Sequence, residues 1–383
     1  MILPGATLAV LGGGQLGRMF TIAARTMGYR VIALDPDPHS PAGGVANEHL
    51  QRDYRDGEAL DYLGRTAAAV TTEFENVPAD SLRALEQHCP VRPGSAAVEL
   101  VQDRIREKTF IRDCGLLTAP FRPVHQVEDL AAAVDALHMP AILKTAALGY
   151  DGKGQRPVQD LAEVRRGFEE LGGRPCVLEE RVELERELSV ILARSAEGRT
   201  AFYPLAENRH VNGILDTSLI PARVEPAVAE QAVHMAGVLA EELDYCGVLA
   251  VEFFLARDGG LLVNELAPRP HNSGHYTLDA CLTTQFQQQV RMMCGLAPGD
   301  TRLFAPVVMV NLLGDLWVDG EPPWEAVLQD PQAQLHLYGK RHPRPGRKMG
   351  HYTCVADTAE DALTAAEAVR RALTRRSGFT NPR

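Results

Sequence analysis

The sequence predicts a mixed fold in which an α/β domain with a doubly wound parallel sheet precedes α+β regions. From residue 7 to about 95, short apolar runs alternate with helical patterns, as in parallel sheets covered by helices. Further along, longer strand-like runs with turns favour antiparallel pairing. The 383 residues, 45% of them hydrophobic, are enough for several cores. We therefore expect domains at 1–95, 96–298 and 299–383, with a glycine-rich subdomain at about 118–185.

The predicted elements follow this order along the chain. The first domain has strands at TLAVL, YRVIALD and AAAVTTEF, with helices from about Gln15, near 59–64 and after Pro78. A charged helical pattern over 96–115 links it to the second domain. There, strands are expected in AILKTAALGYDGKGQRPV and CVLEERVELERELSVILARS, and the long helix PAVAEQAVHMAGVLAEELDYCG precedes the hairpin VLAVEFFLARDGGLLVNEL. The third domain has the strand VVMVNLLG, a basic stretch and the helix AEDALTAAEAVRRAL.

Charge and cysteine usage limit the classes of function. A formal net charge of −11 argues against general nucleic-acid or membrane binding, because both need a broad basic field. The seven scattered cysteines form no C-x-x-C pair and are typical of reduced thiols. No apolar run approaches the ~20 residues of a membrane span, and no basic segment precedes an apolar N-terminal core. We expect a soluble cytoplasmic protein that binds small molecules.

The loop after the first predicted strand has a dinucleotide-binding pattern. Residues 12–17, GGGQLG, satisfy G-x-G-x-x-G after an apolar run, and the second apolar run ends at Asp35. This arrangement is the outline of an NAD-binding fingerprint. Asp35 is followed by Pro-Asp-Pro, however, and therefore also fits the start of a turn. NAD binding and another use of the same loop both remain open at this point.

Two glutamates are predicted to face each other on the hairpin. A two-residue turn at Asp258-Gly259 places Glu252 opposite Glu265. Directly opposed side chains have Cβ atoms about 5 Å apart, so two carboxylates there require a cation or a shared proton. Magnesium prefers such oxygen ligands. The alternative is a three-residue turn, which shifts the register and points one glutamate to solvent.

A second glycine-rich loop carries lysines. LKTAALGYDGKGQ places Lys144 near the end of a strand and Lys153 among Gly149, Gly152 and Gly154. Glycines allow backbone amides to approach phosphate oxygens, and an ammonium group adds charge. The loop is not a Walker A motif, because Lys153 is followed by Gly154 rather than Ser or Thr. An ordinary solvated turn is the alternative.

Six motifs, taken together and in order, resemble the ATP-grasp enzymes and, among them, the family of 5-(carboxyamino)imidazole ribonucleotide synthases of purine biosynthesis. They are GGGQLGRM, QDRIREK, GYDGKGQ, YPLAENRHVNGIL, NELAPRPHNSGH and YGKRHPRPGRKMGH. The resemblance covers nearly the whole chain. It implies an ATP-grasp fold with an N-terminal pre-ATP-grasp domain and a small C-terminal domain. It also implies a ligase that uses ATP, Mg²⁺, bicarbonate and 5-aminoimidazole ribonucleotide, proceeds via carboxyphosphate and is a homodimer.

The resemblance also implies the residues of the site. Catalytic roles fall on Lys144, Lys153 and Arg269, and the magnesium ligands are Glu252 and Glu265. Ala267 stands where many ATP-grasp members have a further Asn ligand. The nucleotide-binding residues implied are Arg104, Lys144, Gly149, Tyr150, Asp151, Gly152, Lys153, Gly154, Gln155, Glu179, Glu180, Arg181, Val182, Glu187, His210, Asn264 and Glu265.

The second substrate is assigned in the same way. The residues implied are Gln15, Glu73, Tyr150, Asp151, Arg269, His271, Asn272, Ser273, Lys340, Arg347 and Lys348. The basic stretch from 340 to 348 also fits a solvated charge run or a weak RNA patch. His271 and His275 have neither the spacing nor the nearby cysteine of a zinc site, and His275 fits a satisfied loop histidine.

Rival functions remain. The formate-using glycinamide ribonucleotide transformylase has a serine-rich phosphate loop, unlike GYDGKGQ, and biotin carboxylase is longer. An NAD-dependent dehydrogenase leaves the hairpin glutamates unexplained. A catalytically silent binding protein is expected to have lost Glu252, Glu265 or Lys144, and all three are present.

Overall fold

The structure, a computed structural model, describes residues 1–147 and 154–374. Its strands form one parallel and two antiparallel sheets, which confirms the predicted combination of α/β and α+β regions. Gly149, Tyr150, Asp151, Gly152 and Lys153 lie outside the described residues. So does the C-terminal segment from 375. In the described ranges, no helix has the length and apolarity needed to cross a membrane.

The first unit contains a four-stranded parallel sheet in the order β3-β2-β1-β4. Apolar side chains from both faces of the sheet are fully buried, because helices pack on each side. The short edge strand β3 was not predicted from the sequence. The elements are β1 Thr7–Leu11, α1 Gln15–Thr26, β2 Arg30–Leu34, β3 Glu48–Leu50, α2 Gly57–Thr66, β4 Ala69–Thr72 and α3 Ala79–Glu86.

The charged pattern over 96–115 forms two helices rather than one. These are α4 Ser95–Val101 and α5 Arg104–Asp113. Asp103 separates them, because its extended backbone and its side chain cap the second helix by accepting from the amides of Ile105 and Arg106. The helical pattern predicted over 96–115 is therefore confirmed, and Asp103 divides it into two helices.

The glycine-rich part of the second unit is a small antiparallel sheet in the order β5-β8-β6-β7, backed by two helices. The central position of β8 brings its residues beside β6, the strand that carries Lys144. The elements are β5 Phe121–Val124, α6 Asp129–Asp135, β6 Ala141–Thr145, β7 Gln155–Val158, α7 Leu161–Glu170 and β8 Cys176–Glu180.

A nine-stranded antiparallel sheet forms the centre of the molecule. Its order is β14-β13-β9-β11-β12-β15-β17-β16, with β10 paired to β9. Helix α8 packs against β9 and β13 and encloses the largest core. Its elements up to α10 are β9 Leu184–Arg194, β10 Thr200–Phe202, β11 Ala206–Val211, β12 Ile214–Ile220, α8 Pro226–Glu242, β13 Gly247–Ala256, β14 Leu261–Ala267, α9 Thr277–Ala280 and α10 Gln285–Met293.

The C-terminal unit extends this central sheet instead of forming a sheet of its own. Strand β15 pairs with β12, and β17 lies between β15 and β16. Helix α12 covers the new strands. The elements are β15 Val307–Leu313, α11 Glu325–Leu328, β16 Ala333–Leu337, β17 Lys348–Val355 and α12 Ala359–Thr374.

The turn of the β13–β14 hairpin has three residues, 257–259, so the two-residue prediction was wrong. Ala256 donates its amide to the Gly260 carbonyl at 2.8 Å, and the amide of Gly259 donates to Ala256 at 2.9 Å. Gly259 has φ 87°, the left-handed conformation that closes a three-residue hairpin loop. A β-bulge at Asn264 then adds one residue to β14 and restores the predicted register beyond it.

The glycines that follow β1 leave space for two carboxylates of the chain itself. The Gly13 amide donates to Asp35 Oδ2 at 2.6 Å, the Gly17 amide donates to Glu73 Oε2 at 2.6 Å, and Gly14 donates to the other Glu73 oxygen. A Cβ on Gly13 would lie 2.7 Å from the Asp35 Cβ. The glycine pattern is therefore explained by internal hydrogen bonds at the start of α1.

Replacing Gly13 by alanine is expected to destabilise the protein. The added methyl group would also overlap the Ser40 Cβ, and relief requires backbone movement because both neighbours are Cβ atoms. We expect a loss of about 1–3 kcal/mol in the free energy of unfolding, measured by denaturant titration. Gly57→Ala is the matched control, since a Cβ there meets nothing within 4 Å. Equal stabilities of the two variants would contradict this account.

Candidate active site

A cavity of about 970 Å³ lies where the three units meet. Among the described residues, every predicted site residue lines it except Gly154 and Ser273. Those on the cavity wall are Gln15, Glu73, Arg104, Lys144, Gln155, Glu179, Glu180, Arg181, Val182, Glu187, His210, Glu252, Asn264, Glu265, Arg269, His271, Asn272, Lys340, Arg347 and Lys348. Residues from distant parts of the sequence therefore share one space.

The two hairpin glutamates are paired across β13 and β14. Glu252 is directly opposite Glu265, as expected, although the turn is longer and the bulge compensates for it. His271 Nε2 lies 3.1 Å from Glu252 Oε1, and Arg104 Nη1 donates to Glu265 Oε2 at 3.0 Å. Burial raises the pKa of Glu252, but the hydrogen bond from His271 and the charge of His210 outweigh it and hold the pKa well below its usual range.

A buried carboxylate on β8 joins two lysines. Glu179 Oε2 accepts from Lys144 Nζ at 2.8 Å, and its other oxygen lies 3.4 Å from Lys108 Nζ. Burial and the nearby cations lower the pKa of Lys144, whereas Glu179 opposes that shift. An anion entering the cavity beside Lys144 would add to the stabilisation of its charged form.

Glu187 and His210 form a second ion pair at the cavity wall. His210 lies on β11, next to the tight turn at Asn212-Gly213, both of which have positive φ. Its Nδ1 is 2.7 Å from Glu187 Oε2. Burial lowers the pKa of His210, but the hydrogen bond to Glu187 and the charge of Glu252 outweigh it, so the net shift is upward.

Arg269 is oriented by a glutamate from the first unit. Its Nε donates to Glu75 Oε2 at 2.5 Å. Burial would raise the pKa of Glu75, but the guanidinium group lowers it to about 2. Glu75 was not predicted as a site residue, although it lies two residues after Glu73 in the same strand-to-loop segment. This spacing is a signal that could have found it.

The loop after β14 is fixed by polar side chains. His271 Nδ1 and Ser273 Oγ are 2.9 Å apart, and Ser273 Oγ is 2.8 Å from Ser189 Oγ. The side-chain amide groups of Asn272 and Asn311 form two hydrogen bonds with each other, of 3.0 and 2.7 Å. Ser273 is fully buried behind the cavity wall, so its described contacts hold the loop rather than face the cavity.

The basic stretch forms a shaped loop between β16 and β17. Lys340 Nζ donates to the Lys348 carbonyl at 2.7 Å, and Arg347 Nη1 donates to the His342 carbonyl at 2.7 Å. The amide of Gly314 donates to the Arg347 carbonyl at 2.8 Å. These contacts shape the loop, and Lys340, Arg347 and Lys348 line the cavity. Arg344 also lines the cavity and was not predicted.

On the other wall, Gln15 begins α1 and Glu73 follows β4. Burial raises the pKa of Glu73, and the hydrogen bonds from Gly17 and Gly14 oppose that shift. The helix amides that could attract a ligand anion thus already bind this carboxylate.

Helix α5 supplies two buried ionic residues that the sequence analysis did not assign. Glu107 accepts the Leu266 amide at 2.5 Å, and Lys108 Nζ donates to the Asn264 carbonyl at 3.3 Å. Burial and the charge of Glu265 raise the pKa of Glu107 to about 8. Their spacing from Arg104, three and four residues along a helix, is the signal that places all three on one face.

Known protein families match each unit of the chain. Residues 5–102 match the ribonucleotide synthetase preATP-grasp domain, 109–286 the ATP-grasp domain, and 307–365 the phosphoribosylaminoimidazole carboxylase C-terminal domain. These matches and the cavity between the sheets define an ATP-grasp enzyme.

Individual proteins that are similar to this chain identify one family among the ATP-grasp enzymes. N5-carboxyaminoimidazole ribonucleotide synthases from Bacillus subtilis and Brucella melitensis are 45% and 46% identical, covering 92% and 91% of this chain and 92% and 96% of their own. The crystal structure of an ADP complex of an N5-carboxyaminoimidazole ribonucleotide synthetase aligns with a TM-score of 0.91 and 43% identity over 97% of both chains. The Aspergillus clavatus N5-carboxyaminoimidazole synthase, in complex with ADP and 5-aminoimidazole ribonucleotide, aligns with a TM-score of 0.88 and 30% identity, covering 97% of this chain and 99% of its own. The chain belongs to the N5-carboxyaminoimidazole ribonucleotide synthase family.

The Glu187→Gln variant is expected to lower the pKa of His210, because the substitution removes the negative partner of the imidazolium. In the parent protein, the Glu187–His210 pair makes its full contribution to stability when the pH is below about 6.5, the pKa of a histidine in the unfolded chain. The contribution is lost as the pH rises through the pKa of His210 in the folded protein, which is higher. An NMR pH titration of the His210 ring measures the shift, with Glu185→Gln on the same strand as the control. An unchanged His210 pKa in Glu187→Gln would contradict the assignment.

Proposed function

We propose that this protein is an ATP-dependent ligase of purine biosynthesis that carboxylates 5-aminoimidazole ribonucleotide. ATP, bicarbonate and the ribonucleotide give N5-carboxyaminoimidazole ribonucleotide, ADP and phosphate. One observation carries the proposal: the paired hairpin glutamates share a cavity with basic residues from the second and third units. Such a cavity suits two phosphorylated substrates.

The nucleotide side of the cavity is formed by β6, β8 and β9. We assign phosphate contacts to Arg104 and Lys144, and adenine contacts to the segment 179–182, which lines the cavity. Glu179 already binds Lys144, so its side chain serves to orient that lysine. Glu187, paired with His210, is assigned to the ribose hydroxyls. Tyr150, Asp151 and Lys153 lie outside the described residues, and their roles stay predictions.

The donor set fits a magnesium ion. Glu252 and Glu265 offer carboxylate oxygens, which Mg²⁺ prefers, and their direct pairing at partly buried positions calls for positive charge. Arg104 supplies part of that charge, and His271 lies within hydrogen-bond distance of Glu252. We propose that the two glutamates hold Mg²⁺, which neutralises charge on phosphate oxygens when bound.

The ribonucleotide side lies between Arg269, the His271 loop and the basic loop of the third unit. Lys340, Arg347 and Lys348 are assigned to its phosphate, because they bring positive charge to the cavity. Arg269, held by Glu75, is assigned to the reacting end of the site. Its guanidinium group is thus oriented before any ligand binds.

The reaction follows from this placement. A bicarbonate oxygen attacks the γ-phosphorus, the bond to the ADP oxygen breaks, and carboxyphosphate forms. Carboxyphosphate releases phosphate and carbon dioxide, and the substrate amine bonds to the carbon and loses a proton. Lys144 and Arg269 stabilise the negative charge that moves among these oxygens. Substrates that fill the cavity would limit the access of water to the intermediate.

We also propose domain boundaries near 95 and 298, a homodimer and a cytoplasmic location. The boundaries are supported by the parallel sheet, which ends at β4, and by the strands from β15 onward. The location is supported by seven cysteines that are all free and all within the described residues. The homodimer rests on the family resemblance, and light scattering of the purified protein tests it.

Release of ADP tests the proposed reaction. With ATP and magnesium present, bicarbonate and 5-aminoimidazole ribonucleotide are added separately and together. We expect strong stimulation only when both are present, because carboxyphosphate needs an acceptor amine. Formate with glycinamide ribonucleotide is the control and is expected to give none. Stimulation by the control pair, or none by the proposed pair, would contradict the choice of substrates.

Glu265→Gln is expected to abolish the bicarbonate-dependent turnover and leave the fold intact. The amide has nearly the same shape as the carboxylate but lacks the charge that holds the metal, so we expect a loss of about two orders of magnitude or more. Circular dichroism and thermal melting check the fold. Glu241→Gln, on the exposed face of α8, is the control. Full activity of Glu265→Gln would contradict the metal assignment.

A further inference from the structure

Helix α5 presents three ionic side chains to the outer edge of β14. We name Arg104, Glu107 and Lys108 the α5 clamp. They lie at positions i, i+3 and i+4 of one helix and therefore on one face. Glu107 and Lys108 are 2% and 1% exposed, so neither is a surface charge, and their partners must be sought inside the protein.

The α5 clamp binds three consecutive residues of β14. Lys108 Nζ donates to the Asn264 carbonyl at 3.3 Å, Arg104 Nη1 donates to the Glu265 carboxylate at 3.0 Å, and Glu107 Oε1 accepts the Leu266 amide at 2.5 Å. The contacts of Lys108 and Glu107 are to the backbone of β14, and that of Arg104 is to a side chain. The helix thus fixes the path of the strand as well as one of its carboxylates.

The position of these contacts has a physical reason. In the described part of the chain, β14 is an edge strand that pairs only with β13. Every second amide of β14 therefore points away from the sheet and lacks a strand partner. The bulge at Asn264 removes a further ladder contact. The Val263 amide points outward and donates to the Leu117 carbonyl. The next outward amide is that of Leu266, and its acceptor is the Glu107 carboxyl group. Without Glu107 this buried amide has no acceptor.

We propose that Glu107 is a positioning residue for the reaction: by accepting the Leu266 amide, it holds the bulge of β14 in the conformation that places Glu265 opposite Glu252. This inference rests on the proposed role of the two glutamates as metal ligands. Glu107 lies at the cavity wall, and the role that we assign to it acts through its hydrogen bond to the backbone of Leu266, the residue after Glu265. Its length and its acceptor oxygen are therefore required, and its charge is not.

Two conservative substitutions separate these requirements. Glu107→Gln keeps the length and an acceptor oxygen but replaces the carboxyl group. Glu107→Asp keeps the carboxyl group but is one methylene shorter and does not reach Leu266. We expect Glu107→Gln to behave like the parent protein. We expect Glu107→Asp to need about tenfold more magnesium for half-maximal ADP release, the effect of losing one buried hydrogen bond.

Amide hydrogen exchange of the peptide covering Leu261–Ala267 provides a readout that does not depend on activity. In Glu107→Asp, the Leu266 amide is expected to exchange about tenfold faster, because it loses its acceptor. In Glu107→Gln, its protection is expected to remain. The KM for 5-aminoimidazole ribonucleotide is expected to be unchanged in both variants, whereas a general loss of structure would alter it as well.

Glu86 provides the matched control. Its carboxylate accepts the Ser95 amide at 2.6 Å outside the cavity. Glu86→Asp therefore shortens a comparable hydrogen-bonded carboxylate and is expected to leave the magnesium dependence unchanged.

Three outcomes would overturn the inference: unchanged exchange and magnesium dependence in Glu107→Asp, equal losses in Glu107→Gln and Glu107→Asp, or an equal shift in the Glu86 control. If the parent protein shows no turnover with the proposed substrates, the proposed function fails. The exchange measurement then still decides whether Glu107 holds β14.

Discussion

Compensation of buried charge is the constraint on which the site depends. A carboxylate, ammonium or guanidinium group removed from water is costly unless a partner of opposite charge or a hydrogen bond accompanies it. Around the cavity this requirement pairs Glu179 with two lysines, Glu265 with Arg104, and Arg269 with Glu75. The Arg269–Glu75 pair also fixes the second unit against the first, whereas the other pairs join separate elements of the second unit. The same contacts that make the charges tolerable therefore orient them towards the cavity.

The sequence predicted the main elements because their patterns are local. Alternating apolar runs and helices identified the parallel sheet, and the Asp-Gly pair identified the hairpin. The turn itself was predicted wrongly, yet the glutamates are paired because the bulge at Asn264 offsets the extra turn residue. The burial pattern of β14 carries the sign of this bulge: Leu261 and Val263 are buried, and the next core residue is Leu266, so the two-residue period is broken. Two successive polar residues, Asn264 and Glu265, mark the break in the sequence.

Contacts between distant segments were harder to predict. The spacing of Glu75 from Glu73 suggests a site residue but not a partner 194 residues away, and the spacing of Lys108 from Arg104 indicates a shared helix face but not the strand that it contacts. The glycine loop after β1 shows the opposite case, in which a local pattern is clear but its binding partner is not. Its spacing matches a dinucleotide fingerprint, but the amides of Gly13 and Gly17 bind Asp35 and Glu73 of the same chain. A pattern of glycines predicts that something approaches the backbone closely, and only the fold shows what it is.

The pairing of β15 with β12 means that the first two units do not form a closed structure by themselves. Residues 217–220 of β12 are in register with β15 along their outer edge. A fragment that ended before β15 would expose this edge together with apolar side chains such as Leu219, which packs against the C-terminal helix layer. Exposed, hydrophobic strand edges recruit other chains and lead to aggregation. The C-terminal unit therefore protects the central sheet from self-association, and truncated forms of the chain are poor candidates for soluble expression.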